Sequence, residues 1–145
     1  MAINTQKVIV GGLGAGVVMN VIDFVSNNYF LKSMNEADMK RLGLSMDALM
    51  TGAAVVPFIL LDFALGILLV WTYAAIRPRF GPGAKTAMVA GLLFFFIIGD
   101  VWGVVCALGV FPWSTFAAGA VVTFVNMTAS AYVGAMLYKE EPEAV

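Results

Sequence analysis

Asp23, Asp62 and Asp100 lie inside long apolar stretches of a 145-residue chain, and Asn20 and Asn126 lie in similar surroundings. A carboxyl group among hydrocarbon side chains can relay protons, hold a cation, or hydrogen-bond one helix to another. Little other titratable chemistry is available. The chain has no histidine, which removes histidine-based general-base, haem and most metal-ligand roles. A single cysteine, Cys106, supports neither a disulfide framework nor a zinc site. Ser26 and Ser130 have no histidine or lysine base nearby in the sequence, and "VIDF" and "LLDF" around Asp23 and Asp62 supply no aspartyl-protease motif. No catalytic residue, metal ligand or cofactor is assigned.

The elements that must position these groups follow from composition. Hydrophobic residues make up 61% of the chain and charged residues 12%, with a mean hydropathy of +0.94. A soluble domain carries about 25% charged residues, so this chain lacks the charge to coat a water-facing surface, and its first partner is the lipid bilayer. A net charge of -1 leaves no basic footprint for nucleic acid. A bilayer crossing takes about 20 apolar residues. Four stretches qualify, at 8–31, 53–76, 87–110 and 112–138, and "VFPW" between the last two demands a tight hairpin. The expected fold is an all-α, up-down-up-down four-helix bundle forming one transmembrane domain. A loop at 32–52, a basic loop at 77–86 and an acidic tail at 139–145 complete it.

Four spans place both termini on one side. That side holds Lys7, Arg77, Arg79, Lys85 and Lys139, against Lys32, Lys40 and Arg41 on the other. The positive-inside rule then assigns cytoplasmic termini and an external first loop in a bacterial inner membrane. In that loop Ser33 and Glu36 have capping-box spacing, predicting a short interfacial helix that breaks near Gly43, and Ser45 is placed to cap a following turn. Tyr29, Trp71, Tyr73, Trp113 and Tyr138 fall near span ends, as interfacial aromatics do. Arg77, Arg79 and Lys85 in "RPRFGPGAK" set topology and form a candidate site for an anionic lipid headgroup.

At a rise of 1.5 Å per residue, Asp23, Asp62 and Asp100 fall about 5, 4 and 2 Å from the middle of their spans toward the outside, and Asn126 about 2 Å the other way. All four helices can thus place a polar group in one thin layer. Small residues accompany them. Gly12, Gly16, Asn20 and Asp23 share one face of the first helix, as do Gly119, Thr123, Asn126 and Ser130 on the fourth. Gly66 follows Asp62 by one turn, and Gly99 and Gly103 flank Asp100. Small residues let helix backbones approach in lipid, so these stripes are expected to meet inside the bundle. The opening "KVIVGGLGAGVVMNVID" imitates a dinucleotide-binding loop, but Val17 stands where the third glycine belongs and no alternating strand–helix pattern follows.

"LVWTYAAIRPRFGPGAKTAMVAGL", together with "GGLGAGVVMNVIDF", resembles a group of small four-helix bacterial integral membrane proteins of unknown function. The resemblance implies the fold but brings no activity. With no lysine, arginine or histidine at their depth, the carboxyl groups must be protonated, hydrogen-bonded or gathered around water or a cation. The leading expectation is therefore proton- or cation-linked transport or conduction through a buried Asp/Asn layer, in a homodimer because four spans leave a monomer little room for a cavity. The alternatives are simple hydrogen bonding between helices, an accessory or structural subunit of a larger membrane complex, and a lipid- or pigment-binding module offering Trp102 and Phe94 to Ile98.

Overall fold

A computed structural model of the chain describes residues 3–138. Lys139 and the acidic tail at 139–145 lie outside the described residues. The fold is all-helical. α1 (Thr5–Val25) runs directly into a π-helical turn at Ser26–Phe30; α2 (Lys32–Arg41) and α3 (Met46–Leu49) are short; α4 (Gly52–Phe80), α5 (Ala84–Ala107) and α6 (Trp113–Leu137) are long. Four helices are long and apolar enough to cross a membrane: α1 with its π turn, α4, α5 and α6. The chain has the architecture of a multi-pass membrane protein.

Local chemistry sets most of the boundaries. Asn4 caps α1, its Oδ1 accepting the Lys7 N–H at 3.0 Å. The expected loop at 77–86 shrinks to three residues. Helix α4 continues through Pro78 to Phe80, because a proline in the last turns removes a single backbone hydrogen bond without ending the helix. Gly81 and Gly83 then reverse the chain at φ +83° and +115°, a region open to glycine. The capping box expected from Ser33 and Glu36 does not form: α2 starts at Lys32, so Ser33 lies within its first turn. The helix does break at Gly43, at φ +74°. Ser45 precedes α3 without a side-chain capping bond.

One end of the bundle holds the first described residues, the Gly81–Gly83 turn and Tyr138; we call it the terminal end. The other, the loop end, holds α2, α3 and the turn between α5 and α6. Helix α1 packs against α4 and α6, and α5 chiefly against α6. The apolar core sits in the terminal half. Val8, Ala15, Leu69, Val70, Ala87, Ala90 and Ala131 are almost fully buried, and Met19 marks the upper limit near mid-span.

Glycine contacts explain the tight closure of this half. A methyl group added to Gly66 would collide with Gly12 O and come within 2.7 Å of Gly16 N; one added to Gly16 would lie 2.8 Å from Phe63 Cα. Gly91 plays the same part between α5 and α6, where an added methyl group would lie 2.8 Å from Met127 O, and one on Gly11 would lie equally close to Gly134 O. By contrast, Gly99 and Gly119 have open space beside them, and a methyl group added to Gly103 would meet only the Phe116 ring, at 3.8 Å. These three do not serve as packing glycines within one chain, because they lie in the loop-end half. There the helices cover one another far less. Val56 to Leu61 are six consecutive exposed residues, enough to turn through every face of α4.

Both ends carry polar clasps. At the terminal end Tyr73 and Tyr138, expected as interfacial aromatics, are instead buried in an edge-to-face pair with ring centroids 6.0 Å apart. The Tyr73 hydroxyl accepts the Gly83 N–H at 3.1 Å. Thr86 donates to Gly81 O at 2.6 Å, so the turn is tied to the helices on either side. At the loop end Asp38, 5% exposed, accepts a hydrogen bond from Thr115 in the first turn of α6 at 2.6 Å. Arg41 donates to Val110 O. A carboxylate beside a helix N-terminus is favoured by the helix dipole. Asp38→Ala is expected to cost about 1–2 kcal/mol through the Thr115 hydroxyl it orphans. It should release α2 first, seen as faster amide hydrogen exchange in Asn35–Arg41 with α4 unaffected.

Candidate functional site

Asp23 and Asn126 face each other across the α1–α6 contact. Asn126, 2% exposed, donates from Nδ2 to Asp23 Oδ1 at 2.7 Å, with a longer approach of 3.5 Å to Met19 O. Ser130, fully buried one turn farther along α6, donates its hydroxyl to Asn126 Oδ1 at 3.1 Å. A hydroxyl, an amide and a carboxyl thus form one hydrogen-bonded line. Among the described residues, no buried side-chain nitrogen or oxygen lacks a partner, as polar groups away from water require.

The line has a direction. Below Ser130 the terminal half is closed by Ala15, Ala131 and the Gly11–Gly134 approach. Above Asp23 polar groups continue toward the loop end. Ser26 is buried; Asn27 donates to Asp23 O at 2.9 Å; Asn35 on α2 donates to Asn27 Oδ1 at 3.0 Å. The π turn organises this passage. Leu31 N–H bonds to Ser26 O at 2.7 Å, five residues back, and the amides of Asn27 and Asn28 reach back to the carbonyls of Asp23 and Phe24. Such wide turns recur at functional sites. The run "SNNYF" contained the signal: two amides and a serine at the end of a span, where apolar residues are the default.

Asp62 on α4, the helix that packs against α1, is half-buried and lies one turn beyond Ile59. Asn20, one turn nearer mid-span than Asp23, donates to Gly16 O at 2.9 Å and approaches Ile59 O across the α1–α4 contact at 3.4 Å. Thr123 is half-buried one turn from Asn126. With the helix bounds of the structure, Asp23, Asp62 and Asp100 lie about 8, 6 and 7 Å from mid-span toward the loop end. All are inside a hydrocarbon half-thickness of about 15 Å.

Asp100 shares that depth but does not join the others. It is exposed on the outer side of α5, since α5 turns its Gly91 face to α6. The expectation that all polar stripes meet inside the bundle therefore holds for α1, α4 and α6 and fails for α5. An aspartate at the bilayer centre costs about 2.5–3.5 kcal/mol on insertion scales, and among the described residues Asp100 stands exposed with no helix of the bundle packed over it.

The basic residues proposed for a lipid headgroup sit on two helix ends. Arg77 and Arg79 occupy the last turns of α4, and Lys85 the first turn of α5. The Arg77 guanidinium lies 5.8 Å from the Tyr138 ring centroid, within cation–π range. Among the described residues no three carboxyl or thiol groups gather as they would around one metal ion. Compared with known families, curated proteins and solved structures, the chain matches none.

Proposed function

We propose that this protein carries out proton- or cation-linked transport or conduction across the membrane, with Asp23 as the exchanging group and Asp62 as its neighbour. The observation that supports this reading most is the line Ser130–Asn126–Asp23 at the floor of the open loop-end half. With Oδ1 fixed by the Asn126 amide, the Asp23 carboxyl group can gain or lose a proton at its other oxygen, or offer it to a cation arriving from the loop end. Asn20, Asn27 and Asn35 give that route amide groups in place of hydrocarbon. The terminal half is closed in this conformation, so passage requires a second state in which the glycine contacts beneath Ser130 loosen.

We place the chain, on the residues quoted above, among the small four-helix bacterial membrane proteins it resembles, in the inner membrane with cytoplasmic termini. The charged groups at the terminal end support that orientation. It turns the open half and Asp23 outward.

The reading is tested in proteoliposomes carrying a pH-sensitive dye and, separately, a monovalent-cation dye. Wild-type protein should dissipate an imposed gradient, Asp23→Asn should abolish the flux and Asp62→Asn should reduce it about tenfold or more. Flux unchanged in both variants, or absent from correctly folded wild-type protein, would overturn it.

A further inference from the structure

Leu93, Phe96, Ile97 and Asp100 recur at i, i+3, i+4 and i+7 on α5, a spacing that aligns them on one helix face, and all four are exposed. Val104 continues the face and is 55% exposed. Phe116 and Ala120 of α6 form the far wall of a shallow groove of about 640 Å³ along which Asp100 lies. Gly99 and Gly103 border this face with their own surfaces unused: nothing lies within 4 Å of a methyl group placed on Gly99, and only the Phe116 ring comes near one on Gly103. This is the surface on which another helix can approach closely.

The carboxyl group dictates what that helix must bring. Lipid tails cannot hydrogen-bond, and an aspartate is too short to reach the headgroups from this depth. The four spans of this chain contain no lysine, arginine or histidine apart from those at their ends, so a second copy can answer Asp100 only with a polar group at matching depth. A two-fold axis along the membrane normal supplies one automatically, because it places the same residue of both copies at the same height. A carboxylic acid is both donor and acceptor, so two such side chains are complementary to each other. Gly99 and Gly103 permit the close backbone approach that this pairing needs.

We infer that a second copy of this chain packs on the Leu93–Phe96–Ile97–Asp100 face, α5 against α5, with the two Asp100 side chains hydrogen-bonded at the axis. This interface uses the side of α5 turned away from Gly91, with Phe116 and Ala120 of α6 at its rim, and does not depend on the role of Asp23.

The full chain, labelled and reconstituted in liposomes at high lipid-to-protein ratio, tests the inference by single-molecule photobleaching. Wild-type protein should bleach in two steps. Asp100→Leu should weaken association tenfold or more, while Asp100→Asn, whose amide also donates and accepts, should keep the dimer. Circular dichroism checks that Asp100→Leu retains its helices, as it should when the residue touches no core side chain. A second measurement does not rely on that variant. In a Cys106→Ser background, Val104→Cys should crosslink on oxidation in native membranes to a species of twice 15.4 kDa, and Leu60→Cys on the exposed side of α4 should not. Single-step bleaching of the wild type, with lipid alone on the face, overturns the inference. So does an Asp100→Leu protein as dimeric as wild type, or a Val104→Cys adduct of any other mass.

Discussion

Gly66→Ala is expected to destabilise the bundle by about 3 kcal/mol, the upper end of the range for overpacked cores. The added methyl group would strike backbone atoms of the facing helix, Gly12 O and Gly16 N, and backbone cannot rotate aside as a side chain can. Helices α1 and α4 would have to separate, opening the contact between Asn20 and Ile59 O as they did so. Gly119→Ala supplies the control, because nothing lies within 4 Å of its added methyl group. It should stay within about 0.5 kcal/mol of wild type. Reversible unfolding in mixed micelles, followed by circular dichroism, measures both. Equal effects at the two positions would show that glycine matters here for helix propensity and not for the α1–α4 contact.

This contrast marks where the sequence is legible. Span number and the aspartates are plain in the chain, because twenty-odd apolar residues have one common use and a carboxyl group stands out among them. The rotation of each helix is harder to read. In water an amphipathic helix shows which side faces inward, whereas a helix in lipid is apolar on its buried and exposed sides alike. Small and polar residues become the only markers, and they are ambiguous. Gly12, Gly16 and Gly66 point into a helix contact, while Gly99 and Gly119 point into open space. Asp23 points toward Asn126, while Asp100 points away from its own bundle.

Other features escaped for equally physical reasons. Asp38 reads as one more charge of a solvated loop, yet α2 folds back over the α5–α6 turn and buries it against Thr115. Tyr73 and Tyr138 sit at the ends of spans, where aromatic rings normally meet headgroups, and are drawn into the core by each other and by the Gly83 N–H. The π turn depends on a single shifted hydrogen bond, Leu31 N–H to Ser26 O, which no composition rule specifies. The opening of the loop-end half is also a property of the assembled helices: the glycines that make close contacts, Gly12, Gly16, Gly66, Gly91 and Gly134, lie at or below mid-span, while Gly99 and Gly119 above it meet no neighbour.

Asn126→Leu should be the most damaging change in the polar line, and the Asp23–Asn126 pair can be dissected to separate holding helices together from moving ions. Leucine at 126 leaves both Asp23 Oδ1 and the Ser130 hydroxyl without the partners they have now. Each orphaned polar group costs about 1–3 kcal/mol, so a loss of about 3 kcal/mol is expected. Replacing both partners by apolar residues removes most of that penalty. The double variant Asp23→Leu/Asn126→Leu should therefore recover much of the stability lost by Asn126→Leu alone. Polar contacts between membrane helices couple by about 0.6 kcal/mol on average and up to about 1.7 kcal/mol. Because Asn126 and Ser130 are almost fully buried, the coupling here should fall in the upper part of that range. Asp23→Asn divides the two roles: an amide at 23 can still accept the Asn126 hydrogen bond but cannot exchange a proton. It should unfold within about 1 kcal/mol of wild type while carrying no flux. A variant that retains both its stability and its flux would assign the carboxyl group at 23 to neither role, whereas lost stability with intact flux would reduce it to a tie between α1 and α6.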